Sequence, residues 1–216
     1  MDKKKLIKKE INDITSLLIK YGLSVEQNFP SVKGGKIYIS NMDNLSIALK
    51  NVTYAEIYEI LEKDKNFNIK MIDGALIQLM YEFSSSDELI KHRLSFFPSP
   101  NLIEYQNEKE IYELDEIYAD ILSYNIVTTP IRFDFDTNSD NVRDVEHPVS
   151  HLTIGQYKNC RIPIHSALTP KTFITFILMN FYNTAYKKFQ ISLSSELSFD
   201  ITITENEKKI LHLNQL

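Results

Sequence analysis

The sequence holds a single cysteine (Cys160), five glycines, seven prolines and no tryptophan. One cysteine supports neither an internal disulfide framework nor a thiolate-only metal site. So little glycine and proline excludes a collagen-like or low-complexity chain. No run approaches the ~18 apolar residues that a membrane-spanning helix needs, and no membrane role follows. The basic start MDKKK leads into no uninterrupted apolar segment and no small-residue cleavage site, so it does not read as a signal peptide. Cytoplasmic placement is the expectation. A P-loop, a dinucleotide-binding glycine motif and an H-x-x-H-D arrangement are all missing, and no carboxylate-x-Lys element closely follows Asp134 and Asp136. Glu207-Lys208-Lys209 has that last form, but it falls in an expected hairpin turn and reads as a solvated charge run. Arginine is scarce as well: of 24 basic residues, four are Arg, namely Arg93, Arg132, Arg143 and Arg161. With 28 Ile and so much Lys, the composition resembles the output of an AT-rich genome. A guanidinium that persists under that bias points to a bidentate role that Lys cannot take over.

What is present describes a folded chain. At 216 residues and 43% hydrophobic content, it is too apolar for disorder. A domain of this size buries roughly 70% of its unfolded surface. The net charge of −5 argues against a broad basic face that coats nucleic acid. Leu6, Ile7, Ile11, Ile14, Leu17, Leu18 and Tyr21 recur at helical spacing, with Gly22 as C-cap, so an amphipathic N-terminal helix with a Lys-rich outer face is expected. Strand-like runs lie at Ile37-Tyr38-Ile39 and at Leu45 to Leu49. Thr53 to Glu56 is a capping box that opens a helix. Asp73-Gly74 separates strands 69–72 and 75–83 as a hairpin. Ser84 to Asp87 turns the chain into strand 89–97. A second capping signature at Asn107 to Glu110 opens a helix to about Tyr124. Strands follow at 131–136, 149–154 and 160–164, then a Thr169-Pro170 N-cap and a helix to about Lys188 that is apolar nearly all round. A hairpin, 199–204 with 209–213, closes the chain. The fold class expected is α+β: one domain over 1–216, with a mostly antiparallel sheet packed on the buried 171–188 helix. Residues 1–50 are a weakly defined helix and strand pair, and 51–216 form the main body.

Parity then places chemistry. Side chains alternate across a strand, so Arg132, Asp134 and Asp136 share one face while Ile131, Phe133 and Phe135 share the other. His151, Thr153 and Arg161 fall opposite the apolar residues of their strands, and short connections make these three strands neighbours. His147 stands just before, held extended by Pro148. Arg93 lies with Lys91 and Ser95, and Glu82 could add a carboxylate. His92 falls on the apolar face as a core histidine, Cys160 reads as a small core residue, and Arg143 sits in the polar loop 137–146. Three roles fit the polar surface. Asp134, Asp136, His147 and His151 suit Mg, Mn or Zn, and such a metal could activate water for phosphodiester hydrolysis, with Asp134, Asp136 and His151 catalytic. Arg93, Arg132 and Arg161 suit phosphate as bidentate forks. Alternatively, the arginines pair with the carboxylates and the face is a solvated ion-pair network.

The runs G-A-L-I-Q-L-M-Y-E-F (74–83), H-R-L-S-F-F-P-S-P (92–100), P-I-R-F-D-F-D (130–136), H-P-V-S-H-L (147–152) and C-R-I-P (160–163), with a Phe/Tyr-rich helix after Thr169-Pro170, resemble the prokaryotic family called domain of unknown function 2290. The resemblance spans roughly 70–190. It implies no established reaction and no catalytic residue. Some similar proteins are encoded beside a helicase in anti-phage defence loci, which implies a helicase partner and a defence process rather than a reaction; nucleic acid is the other partner to be expected. An enzyme, such as a metal-dependent nuclease or phosphotransfer effector, and a non-enzymatic accessory or sensor that regulates a partner both remain open at this point.

Overall fold

A computed structural model describes residues 2–39, 52–100, 116–118, 120, 129–157 and 159–214. The expected strand at Leu45 to Leu49 lies outside them. So does the helix expected from Asn107, apart from a 3-10 turn at Glu116–Tyr118 and the isolated Asp120.

The first helix, α1 (Lys3–Lys20), begins where the Asp2 side chain accepts the Lys5 N–H. Asp87, from the turn at 84–87, accepts the N–H groups of Lys3 and Lys4. Two carboxylates thus satisfy donors that a helix start leaves open. Ile7, Ile11, Ile14 and Leu18 on its inner face are fully buried, each contributing about 1.5–3 kcal/mol of transfer free energy. The helix ends at Gly22 (φ +67°), where the N–H groups of Gly22 and Leu23 donate to the Ile19 and Leu18 carbonyls. That left-handed termination needs a residue without Cβ.

All nine described strands join one antiparallel sheet: β1 (Ser24–Gln27), β2 (Ser31–Lys33), β3 (Lys36–Tyr38), β4 (Ile69–Met71), β5 (Leu76–Phe83), β6 (Leu89–Phe97), β7 (Ile131–Asp136), β8 (Ser150–Ile154) and β9 (Ile162–Pro163). The main order is β1-β4-β5-β6-β7-β8-β9, with β3 also pairing β5 and carrying β2. The β4–β5 hairpin turns at Gly74 (φ +82°) as Asp73-Gly74 requires.

One sheet face carries Leu79, Leu94, Phe133 and Leu152. It packs in a single apolar cluster with Ile7 and Ile11 of α1 and with Phe173 and Ile177 of α3 (Pro170–Phe181). Phe133 meets Phe173 and Phe176 edge to face, at centroid distances of 5.7 and 5.4 Å. The other face is covered at one end by α2 (Tyr54–Lys63), whose Ile57, Tyr58 and Leu61 pack on Phe67, Leu76 and Phe97. The reciprocal Thr53–Glu56 capping box at its start is complete. The class is therefore α+β, with an antiparallel sheet and an N-terminal helix, as expected.

Four expectations need correction. The helix expected over 171–188 breaks at Tyr182 (φ −136°) into α3 and α4 (Asn183–Lys188). The Asn180 and Asn183 amides donate to the Phe176 and Met179 carbonyls, and Asp120 accepts the Thr184 N–H at 2.7 Å, which starts a new turn. Nor is α3 buried all round, since Met179 is 48% exposed. The closing hairpin does not form. Ile201 and Leu213 instead bridge to Ser166 and Ile164, because the main-chain groups of Pro163 and His165 take up their hydrogen bonds. Within this segment Glu207 is buried, accepting the Thr204 N–H, rather than solvated.

Candidate functional site

The antiparallel registers of β6, β7, β8 and β9 assemble the polar face row by row. Ser95, Arg132 and Thr153 lie opposite one another, Arg93, Asp134 and His151 form the next row, and Lys91 faces Asp136 beyond them. Arg161 extends the face from the residue before β9. Alternating sequence of this kind ordinarily marks a half-exposed face; here Ser95, His151 and Thr153 are no more than 4% exposed, Arg93, Arg132, Asp134 and Asp136 are half-buried, and Lys91 alone is exposed among these eight. The site is therefore a largely covered polar layer with an open edge at Lys91, in which each enclosed donor and acceptor must find a partner.

Some do. The Arg93 Nε–H donates to Asp134 Oδ1 at 2.9 Å. Burial alone would push the Asp134 carboxyl up, but the guanidinium groups of Arg93 and Arg132 overcome it and hold the acid below the usual carboxylate range. Asp136 likewise resists its burial. The Lys91 ammonium at 2.6 Å, the Asn138 N–H and the Asn141 amide keep it ionised, and these contacts fasten the start of loop 137–148. Both carboxylates proposed as metal ligands are thus already engaged by cations.

Arg132 is different. Burial depresses its guanidinium pKa, against the pull of Asp134 and together with the repulsion of Arg93 and Arg161. A guanidinium nevertheless stays charged in a protein. Its Nε and Nη1 are shut from solvent and have no hydrogen-bond partner among the described residues. The Oγ of Ser95, directly across the ladder, is in the same condition.

The two histidines stand together, with ring centroids 5.1 Å apart. The His151 Nδ1–H donates to the Pro148 carbonyl at 2.9 Å, and the His147 Nδ1–H donates to the Asn141 carbonyl. A carbonyl only accepts, so Nδ1 of each ring carries a proton and Nε2 is the nitrogen left to accept. Burial pulls the His151 imidazole below its ordinary value despite the Asp134 charge. His147 and Arg161 also line a cleft of about 650 Å³ with Asp140, Asn141, Arg143 and Glu146. Of the four expected metal ligands, His147 and His151 stand together and Asp134 faces His151 across the ladder. Asp136 is one row away in its pair with Lys91. Among the described residues no three of His, Cys, Asp and Glu are gathered as a ligand set.

The remaining residues singled out by the sequence fall as follows. His92 is a core histidine that accepts the Leu168 N–H at Nε2, and burial drives its pKa down to about 4. Glu82 pairs with Lys36 at 3.4 Å on the far side of Lys91. Cys160 is half-buried rather than core. The sequence reading set Arg143 aside and passed over Asp140, Asn141 and Glu146. The loop folds back on itself through the Arg143–His147 bridge, with Val145 at φ +68°, and this brings the four residues to the cleft. No periodicity marks such a turn.

No helix among the described residues is long and apolar enough to cross a membrane. Neither a curated protein nor a solved structure matches the chain. A family model does, over residues 23–215, and it takes in every residue of the polar layer. The chain therefore belongs to the family described as an uncharacterized conserved protein, DUF2290.

Proposed function

We propose that the β6–β9 polar layer recognises phosphate groups of nucleic acid, and that the protein is an accessory factor that engages a nucleic-acid substrate beside a helicase in anti-phage defence. The observation that carries this reading is Arg132, a half-buried side chain whose Nε and Nη1 are shut from solvent with no hydrogen-bond partner among the described residues. Leaving charged donors buried and unpaired costs several kcal/mol, and an anion removes that cost. Guanidinium is suited to phosphate because its parallel N–H donors match two oxygens. Three of the four arginines in the chain stand on or beside this layer. The net charge of −5 confines the contact to a small patch, so a helicase partner, suggested by the family resemblance, supplies the remaining affinity. Affinity for single-stranded DNA measured against salt tests this. Contacts from three guanidinium groups give a log–log slope of about −2, and Arg132→Met removes most of the binding. A slope several times steeper, or binding indifferent to Arg132, overturns the reading.

A second reading is favoured by the histidine pair. With Nδ1 of His147 and of His151 fixed on backbone carbonyls, both Nε2 atoms are set in the tautomer a divalent metal requires. A Mg, Mn or Zn ion held there would generate a nucleophilic water beside a phosphate on Arg132 and Arg161, a metal-dependent nuclease or phosphotransfer centre. The Pro148 carbonyl would orient His151, the Asp134 charge would stand beside it, and Asp136 would hold the loop. Incubation of DNA with Mn, comparing wild type with Asp134→Ala and His151→Ala, tests it; cleavage equal in all three sinks it.

A further inference from the structure

The phosphate reading can be made narrower, because the unpartnered groups describe a ligand. Arg132 Nε and Nη1 offer charged donors, and Ser95 Oγ, fully buried and directly across the ladder, offers a hydroxyl with no partner among the described residues. His151, one row away, has committed its Nδ1–H to Pro148 and so offers an acceptor at Nε2. Two features of this set matter. First, Arg132 Nε and Nη1 and Ser95 Oγ are shut from solvent. An internal backbone phosphate carries an ester substituent on both sides and would have to drag the strand into the layer to reach Arg132. A terminal phosphoryl group has one ester link and three unsubstituted oxygens, and it can enter end-on. Secondly, the set mixes donors with an acceptor. A phosphomonoester, with a second pKa near 6, carries a P–OH proton part of the time and can donate to an imidazole, whereas a diester has no such proton. The cleft of about 650 Å³ walled by His147 and Arg161 adjoins the layer and offers the approach.

We infer that the Arg132–Ser95–His151 cluster is a pocket for a terminal phosphomonoester, the phosphorylated end of a nucleic-acid strand. This rests on the phosphate reading above and specifies its substrate. The experiment is fluorescence anisotropy of the full chain with one short DNA sequence in four forms: 5′-phosphorylated, 3′-phosphorylated, hydroxyl at both ends, and covalently closed. Wild type is compared with Arg132→Met and with Ser95→Ala, each first checked for native thermal unfolding. A phosphorylated end binds at least tenfold more tightly than the hydroxyl and closed forms. Arg132→Met abolishes that preference, and Ser95→Ala reduces it several-fold. Equal binding of all four forms, weakened by Arg132→Met, overturns the end-specific pocket and leaves phosphate recognition standing. Binding of every form that ignores both substitutions overturns the two together. Competition by a nucleoside monophosphate identifies the source of the monoester: displacement at matching concentration marks a small-molecule phosphate pocket and overturns the strand-end assignment, whereas displacement only at great excess supports it.

Discussion

Two arginines on adjacent strands of one sheet face illustrate how differently the same side chain behaves. Arg93 is paired, its Nε 2.9 Å from Asp134 with both side chains largely covered. Removing it strands a buried carboxylate, so Arg93→Ala is expected to lower stability by about 3 kcal/mol in denaturant unfolding. Arg132 Nε and Nη1 have no hydrogen-bond partner among the described residues, so Arg132→Met exchanges two unsatisfied donors for apolar volume, a gain set against the lost attraction to Asp134. It is expected to raise stability by about 1 kcal/mol, or 2–4 °C in Tm for a chain of this size. A residue whose loss stabilises the fold is one retained for another reason. His92 reports on acid sensitivity. Burial lowers its pKa from 6.5 to about 4, so between those values the unfolded chain binds a proton that the folded chain refuses. Stability is therefore intact above pH 6.5 and falls as pH drops to about 4, by about 3 kcal/mol from this residue. His151 adds to the loss in the same direction. His92→Gln, which keeps an acceptor for the Leu168 N–H, is expected to flatten the profile of unfolding free energy against pH. An unchanged slope would show that the acid sensitivity lies elsewhere.

At the scale of elements, turns and caps set where strands and helices stop. Gly22 and Gly35 both have positive φ, +67° and +85°. A Cβ on Gly22 meets nothing within 4 Å, whereas one on Gly35 would lie 2.5 Å from the Phe83 carbonyl oxygen. Gly22→Ala therefore costs conformational strain alone, about 1 kcal/mol. Gly35→Ala costs more, because it also pushes apart the approach of β3 to β5. Chemical denaturation of the two variants gives the order, and equal costs would contradict it. The break between α3 and α4 follows the same local logic. Tyr182 is fully buried and its hydroxyl donates to Asp73 at 2.8 Å, tying the helix end to the β4–β5 turn. Tyr182→Phe is expected to cost about 1 kcal/mol. This break was illegible from periodicity, since the apolar residues run through it. What ends α3 is competition from asparagine side chains for its last carbonyls and a cap from the distant Asp120. β1 and β2 were missed because they are short, half-exposed pieces with no alternation to read.

For the whole molecule, strand parity located the polar layer in the sequence. The register bears out that Arg132, Asp134 and His151 share a face, and it adds Arg93 as the direct partner of Asp134. Sequence could not supply the layer's burial, which depends on what packs over the sheet, or the pairing that commits Asp134 and Asp136 to cations. The cleft residues from 140 to 146 were hidden because a loop's fold-back leaves no period. A layer that encloses Ser95, His151, Thr153 and two unpartnered Arg132 nitrogens costs stability that an apolar layer would not, and a ligand is the account offered for keeping it. Anything that binds the folded chain alone raises its melting temperature, by about 3 kcal/mol equivalent at a hundredfold excess over Kd. The most direct measurement is therefore the Tm of wild type and Arg132→Met, each with and without saturating 5′-phosphorylated oligonucleotide. Wild type is expected to gain at least 5 °C, while the variant melts higher than wild type without ligand and gains nothing with it. A variant that melts lower than wild type and still gains with the oligonucleotide would contradict the assignment of this layer to phosphate.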